Sequence, residues 1–274
     1  MWRPAFALLL LPLFATPAPA MRGRLIRRFA PLPAAANVLW IAAHPDDELL
    51  AAPLLDLYCR ERRARCTFAV ATRGESGWCE LPVCSPDLAT VREQELRASA
   101  SFFSAAVVAG SFADGSSPSP AGVLLRWRTT SPSIDAFVDS LFTTIRPNLV
   151  LTLDPRHGST CHPDHRAIGA VAIAAARRHG VPVAAVLLRA LPVGDWEALA
   201  VSPNLADADF VLDAAAPAAT FDGSRWDALA TVARTHASQF SQRAVAAIDG
   251  VPREKRLIGV DFLDDVPSGD ACAP

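Results

Sequence analysis

Two short stretches of this chain gather the residue types that bind a divalent metal and activate water. The first is Ile41-Ala-Ala-His-Pro-Asp-Asp-Glu48, where an imidazole, a proline and three consecutive acids directly follow an apolar run. The second is Asp154-Pro155, then a loop, then His162-Pro-Asp-His165-Arg166. Four ionisable side chains at the end of a buried strand are costly unless a cation or solvent compensates them. Acids at a helix start also complement its dipole and cap free amides. That accounts for one or two of the carboxylates, but not for the His44 directly before them. His162 and His165 are three apart, so a helical turn puts them on one face. Two His and an Asp converging from two loops could make a three-ligand site with a position open to water, as in catalytic zinc.

The elements that position these residues are legible from apolar runs. Residues 38–43 have strand length and no polar alternation, which fits a strand buried on both faces. Pro45 turns the chain out of the sheet, and Asp46, Asp47 and Glu48 open a helix running through Leu49 to Cys59. Residues 148–153 read as a second buried strand, followed by a helix from Ala167 to His179 with Gly180 as its C-cap. In a parallel sheet with helical crossovers both strands emerge at the carboxyl edge, where ligands bind in such folds. Further strands are expected over 65–72, 105–112, 183–190 and 209–213, and helices over 88–104, 134–145 and 224–238. The fold class is therefore α/β: a Rossmann-like three-layer sandwich with a mostly parallel sheet, forming a single domain over 37–265.

The flanks read differently. Residues 1–20 have one positive charge, a short apolar core and an Ala18-Pro-Ala20 cleavage site, the three parts of a secretory signal. Residues 21–36 are a basic, Pro/Ala-rich lead-in, and 266–274 a tail. Export to the periplasm or the extracellular space follows; membrane contact arises only if the signal stays uncleaved. The formal charge of −2 over 274 residues gives no hint of nucleic-acid binding. Six cysteines in an exported chain imply disulfides. Sequence leaves fifteen connectivities open, with Cys59–Cys66 and Cys79–Cys84 preferred as local pairs and Cys161–Cys272 left over. Thiolate zinc ligation is disfavoured, since no C-x-x-C is present.

The paired motifs resemble the signatures of the PIG-L/LmbE-like zinc-dependent de-N-acetylases. The resemblance extends to Thr72-Arg-Gly-Glu75, Arg92-Glu-Gln-Glu95, Asp114-Gly115 and His236-Ala-Ser-Gln239, so it spans roughly residues 37 to 240. Cys161 stands where Gly is common in the family, and the Lys often found ahead of His-x-Ser-Gln is absent.

The resemblance implies a site. His44, Asp47 and His165 would hold Zn2+, with Fe2+ or Co2+ also accepted by such a donor set. Asp46 would be the general base. His162, as an imidazolium, would steady the oxyanion and protonate the departing nitrogen, with Asp164 orienting its ring. Arg73, Glu75, Arg92, Asp114 and His236 are candidate substrate-binding residues, and Trp196 in the loop 191–205 could stack on a sugar. The expected activity is removal of an N-acetyl group from an N-acetylglucosamine-type sugar or conjugate. The alternatives are another exported metallohydrolase (an esterase or phosphoesterase) and a non-catalytic, metal-stabilised carbohydrate-binding protein.

Overall fold

The computed structural model describes residues 24–26, 37–82, 84, 87–188, 208, 210–267 and 272. The expected signal segment 1–20, nearly all of the lead-in, the loop 191–205 with Trp196, and most of the tail lie outside them.

One sheet carries the chain. Its strands are β1 (Arg24–Ile26), β2 (Asn37–Ala42), β3 (Arg65–Val70), β4 (Ala106–Ala109), β5 (Leu149–Leu153), β6 (Val183–Leu188), β7 (Phe210–Asp213) and β8 (Leu257–Phe262). Their spatial order is β1-β7-β8-β6-β5-β2-β3-β4. Every pairing is parallel except the two made by β8, which runs against β6 and β7. The lead-in thus contributes a strand, β1, to the sheet edge. β8 was not expected from sequence.

Three layers result because the central strands are apolar on both faces. Along β2, Val38, Trp40 and Ala42 face one core and Leu39 and Ile41 the other. The first core is covered by α1 (Ala52–Leu55), α2 (Leu88–Phe102) and α6 (Arg225–Thr235), with α7 (Gln242–Asp249) behind. The second is covered by α3 (Pro120–Arg128), α4 (Ile134–Ile145) and α5 (Pro163–His179). Each helix that could be read from sequence is found; the 134–145 helix keeps its expected ends and the others differ at one end or both. The expected 49–59 helix is a composite: a 3-10 turn over Asp47–Ala51, then α1, then a π-helical turn over Asp56–Glu61. The 224–238 helix stops at Thr235, where His236 becomes its C-cap.

The disulfides join Cys59 to Cys66, Cys79 to Cys84 and Cys161 to Cys272, the pairing preferred from sequence. No helix among the described residues is long and apolar enough to cross a membrane.

The strand order reverses between β2 and β5. From β2 the chain winds outward through β3 to β4; from β5 it winds the other way to β6. This is the switch point where loops diverge and leave a crevice at the carboxyl edge. The loops after β2 and β5 carry His44 to Glu48 and Asp154 to His165, so the topology alone brings the two motifs together.

Candidate metal centre

After β2 the chain folds back on the carboxylate of Asp47. Its Oδ2 accepts the amides of Ala43 and His44, each at 2.9 Å. That leaves Oδ1 to face His165 Nε2, also at 2.9 Å. Asp46 takes a left-handed conformation with φ 108°. Such backbone costs about 1–3 kcal/mol and persists only where neighbours impose it. Two neighbours do. The Asp46 amide donates to Glu48 Oε2 at 3.1 Å, and Arg92 from α2 meets its carboxylate at 2.9 Å. Arg92 is buried and also donates to the carbonyls of Pro45 and Gly74. Burial pushes the Asp46 carboxyl up and the Asp47 charge adds to this, against the opposing pull of Arg92.

The loop after β5 orients the second motif. The carbonyl of Gly158 accepts His165 Nδ1–H at 2.8 Å, with Thr160 Oγ1 3.1 Å from the same nitrogen. A Cβ at Gly158 would sit 2.6 Å from His165 Cβ, so only glycine lets the carbonyl approach. With Nδ1 donating, the Nε2 lone pair of His165 is left facing His44 Nδ1 at 3.0 Å and Asp47 Oδ1. His162 is the N-cap of α5, and its Nδ1 accepts the Asp164 amide at 3.2 Å. An imidazolium has no lone pair to accept with, and burial beside two other imidazoles pushes the His162 pKa down to about 4. Both features favour a neutral ring with its proton on Nε2, whereas the resemblance implies an imidazolium.

The donor set fits a divalent ion. A lone pair and a carboxylate oxygen facing each other at 2.9 Å are two acceptors, and a cation between them resolves the repulsion. Tetrahedral bonds of about 2.0–2.1 Å put donors roughly 3.3 Å apart. Here His44 Nδ1, His165 Nε2 and Asp47 oxygens are separated by 2.9, 3.0 and 3.7 Å. The other nitrogen of His44 points away, to Asp114 Oδ1 at 2.9 Å and Asp164 Oδ2 at 3.4 Å. Carboxylate-backed imidazoles of this kind are usual around metals. Burial disfavours charge on His44, yet the hydrogen bonds of Asp114, Asp164 and Asp47 outweigh it and raise its pKa well above the usual value. The corner thus has a strongly negative field. Asp114 answers in kind: burial pushes its carboxyl up, but the bond and charge of His44 pull it down to about 2.

These groups open onto a cavity of about 400 Å³. His44, Asp46, Asp47, His162 and His165 line it, and so do Arg92 and Asp114. The structure does not bring the other three candidate substrate residues to its wall. Arg73 pairs with Glu93 at 3.4 Å beside Thr90. Glu75 accepts the Asp114 amide at 3.0 Å. His236 is 0% exposed and bonds Glu48 at 2.6 Å. Asp164 also differs from expectation: its carboxylate serves His44 and the Gly115 amide, and only its backbone reaches His162. Sequence reasoning passed over Gln239, Trp78 and Phe240, which line the cavity. Gln239 lay within a quoted motif and donates to the Trp78 carbonyl at 2.9 Å.

The same architecture occurs in known proteins. The 4-carboxy-2-hydroxymuconate hydratase GalB from Pseudomonas putida KT2440 superposes with a TM-score of 0.59 at 14% identity, over 86% of this chain and 100% of that one. The N,N'-diacetylchitobiose deacetylase from Pyrococcus horikoshii gives 0.55 at 15%, over 84% of each. The zinc-inhibited form of the teicoplanin deacetylase Orf2 gives 0.51 at 20%, over 84% of this chain and 99% of that one. At these identities the likeness speaks for the fold. No curated protein matches the sequence. The sequence model of PIG-L, the GlcNAc-PI de-N-acetylases, matches residues 39–176, a span that holds both motifs and half of the chain. The chain belongs to the PIG-L family of de-N-acetylases.

Proposed function

We propose that this protein is an exported, metal-dependent hydrolase that removes the acetyl group from an N-acetylglucosamine-type sugar or sugar conjugate. The observation that carries the reading is one carboxylate, Asp46, held beside a three-donor cage without belonging to it. His44 Nδ1, Asp47 Oδ1 and His165 Nε2 would hold the ion, zinc first, with iron or cobalt compatible with the same donors. When bound, a divalent ion supplies Lewis acidity that polarises the amide carbonyl and makes water acidic enough to attack near neutral pH.

The chain's own groups do the rest. Asp46 takes the proton of the attacking water, fixed in place by the Arg92 fork. The neutral ring of His162 offers its Nε2–H to the oxygen of the carbonyl as negative charge develops there. Since His162 has no second proton to give, Asp46 passes the captured proton to the amide nitrogen. The carbon–nitrogen bond then breaks, leaving a free amine and acetate. Asp114 and Asp164 keep the ligand ring of His44 turned inward. The three disulfides support an exported protein, because such bonds persist in oxidising compartments.

The test is acetate release from a panel of N-acetylglucosamine conjugates and chitooligosaccharides. Turnover is expected to vanish with a chelator and to return with zinc, iron or cobalt. Hydrolysis of ester or phosphoester analogues without acetate release from any amide would overturn the reading.

Arg92→Lys probes the base from another side. Lysine keeps the charge but cannot reach Asp46 and two carbonyls together. Losing charged hydrogen bonds worth about 1.5–3 kcal/mol predicts a fall in kcat/KM of roughly 10–100-fold with metal content unchanged, readable by steady-state kinetics beside metal analysis.

A further inference from the structure

Three of the four residues between His157 and His162 lie in the left-handed region: Gly158 (φ 57°), Ser159 (φ 62°) and Cys161 (φ 59°). Glycine takes this conformation freely, whereas an L side chain is strained by it. At Cys161 no glycine is present. Its sulfur is bonded instead to Cys272, 111 residues further along the chain. Cys272 sits against the carbonyls of Arg156 and His157, the residues that begin this same loop.

The loop's course matters to the site at both of its ends. Gly158 and Thr160 present the oxygens that fix the tautomer of His165. Cys161 directly precedes His162, the N-cap whose ring lines the cavity. Two tight backbone bonds fold the loop, Gly158 N to the Asp154 carbonyl and Cys161 N to the His157 carbonyl, both at 2.6 Å. They set its curl, as does the Ser159 amide, which donates to His157 Nδ1 at 2.9 Å; the sulfur bridge adds the covalent tether on Cys161. One other link does different work. Cys59–Cys66 lies at the amino edge of the sheet, since Cys66 pairs with Val38 at the start of β2.

We propose that the Cys161–Cys272 disulfide is a positioning element of the active site. It holds residues 158–162 in their left-handed course, so that the Gly158 carbonyl stays on His165 and the His162 ring stays over the reacting amide. Cys161 and Cys272 are positioning residues, not catalytic ones, and the assignment rests on the function proposed above.

The experiment compares four forms of the full chain, each loaded with zinc: wild type, C161S/C272S, C161G/C272S, and C59S/C66S as a control for the loss of a disulfide elsewhere. Steady-state kinetics are read beside the rate of zinc loss to a chelator. The serine pair keeps a strained L residue without its tether, so a fall in kcat of about tenfold or more is expected, with KM little changed and zinc leaving faster. The glycine pair relaxes into the same backbone and is expected to recover most of kcat and of zinc retention. The control is expected to match wild type in kcat. A serine pair as active as wild type, or a glycine pair no better than the serine pair, overturns the proposal. Should the serine pair fail to fold, the glycine pair decides: near wild-type kcat supports the role, and a depressed kcat overturns it. A wild type that binds no zinc and releases no acetate overturns the proposed function, and this assignment with it.

Discussion

Asp46→Asn is expected to lower kcat by about 10²–10⁴-fold, the usual worth of a positioned general base, while zinc content and KM stay close to wild type. The expectation follows from where Asp46 stands. Its carboxylate is engaged by Arg92 and takes no part in the contacts among His44, Asp47 and His165. Asparagine is the cleaner substitution because it tolerates the left-handed backbone found at φ 108° nearly as well as aspartate. It also keeps an oxygen for Arg92 to bind. His44→Ala differs in kind. It removes a donor and leaves Asp114 without the ring that its carboxylate faces, so metal and turnover should be lost together. Metal analysis and single-substrate kinetics on the two variants separate the roles. Equal loss of zinc in both would mean that base and ligand have been exchanged.

The metal loops could be read in the sequence because each breaks off an apolar run with charged residues that a buried strand would otherwise shun. Residues 38–43, and 149–153 apart from Thr152, are apolar on consecutive positions, the pattern of a strand covered on both faces, and each is followed by His, Asp and Pro. What each carboxylate faces was not legible, because side-chain direction depends on distant segments. Asp114 reads as an Asp-Gly turn or a sugar contact, yet its Oδ1 lies on His44 Nε2, brought there from the loop after β4. Asp164 reads as the partner of its neighbour His162, but the start of α5 turns its carboxylate to His44 instead. Arg73 and Arg92 look alike in sequence. Only the packing of α2 buries the second and leaves the first paired with Glu93. Two elements were hidden by composition. The helix α3 begins with Ser119 as N-cap and Pro120 in its first turn, inside a Ser/Pro-rich stretch that imitates a loop. The strand β8 is interrupted by Gly259 and Asp261, and its antiparallel course breaks the strand-helix rhythm of the rest.

The largest effect on stability is expected at Glu48 and His236, a pair that no motif spacing connects. Both are 0% exposed, and they meet at 2.6 Å across 188 residues of sequence. Breaking a buried pair by removing one partner strands the other charge and costs about 3–5 kcal/mol. Glu48→Ala and His236→Ala should each show that loss in urea unfolding, whereas Glu48→Met combined with His236→Leu should lose far less. The pair also has a signature in pH. Burial disfavours the charged ring of His236, but the charge and hydrogen bond of Glu48 outweigh it, helped by Asp46 and Glu95, and raise its pKa. A group raised on folding contributes fully below its unfolded value of about 6.5 and loses that contribution as pH climbs through the folded value. Wild type should therefore lose stability on the alkaline side of neutrality, and the double variant should lose the His236 share of that dependence while the raised His44 keeps its own. Catalysis responds separately. Glu48 Oε2 holds the amide of Asp46, so the double variant, stable as it is, frees the base from its strained backbone and should turn over more slowly. Glu48→Gln keeps an oxygen for that amide and should retain more activity than Glu48→Ala. If the double variant instead matches wild type in kcat, the Glu48 contact stabilises the fold without positioning Asp46.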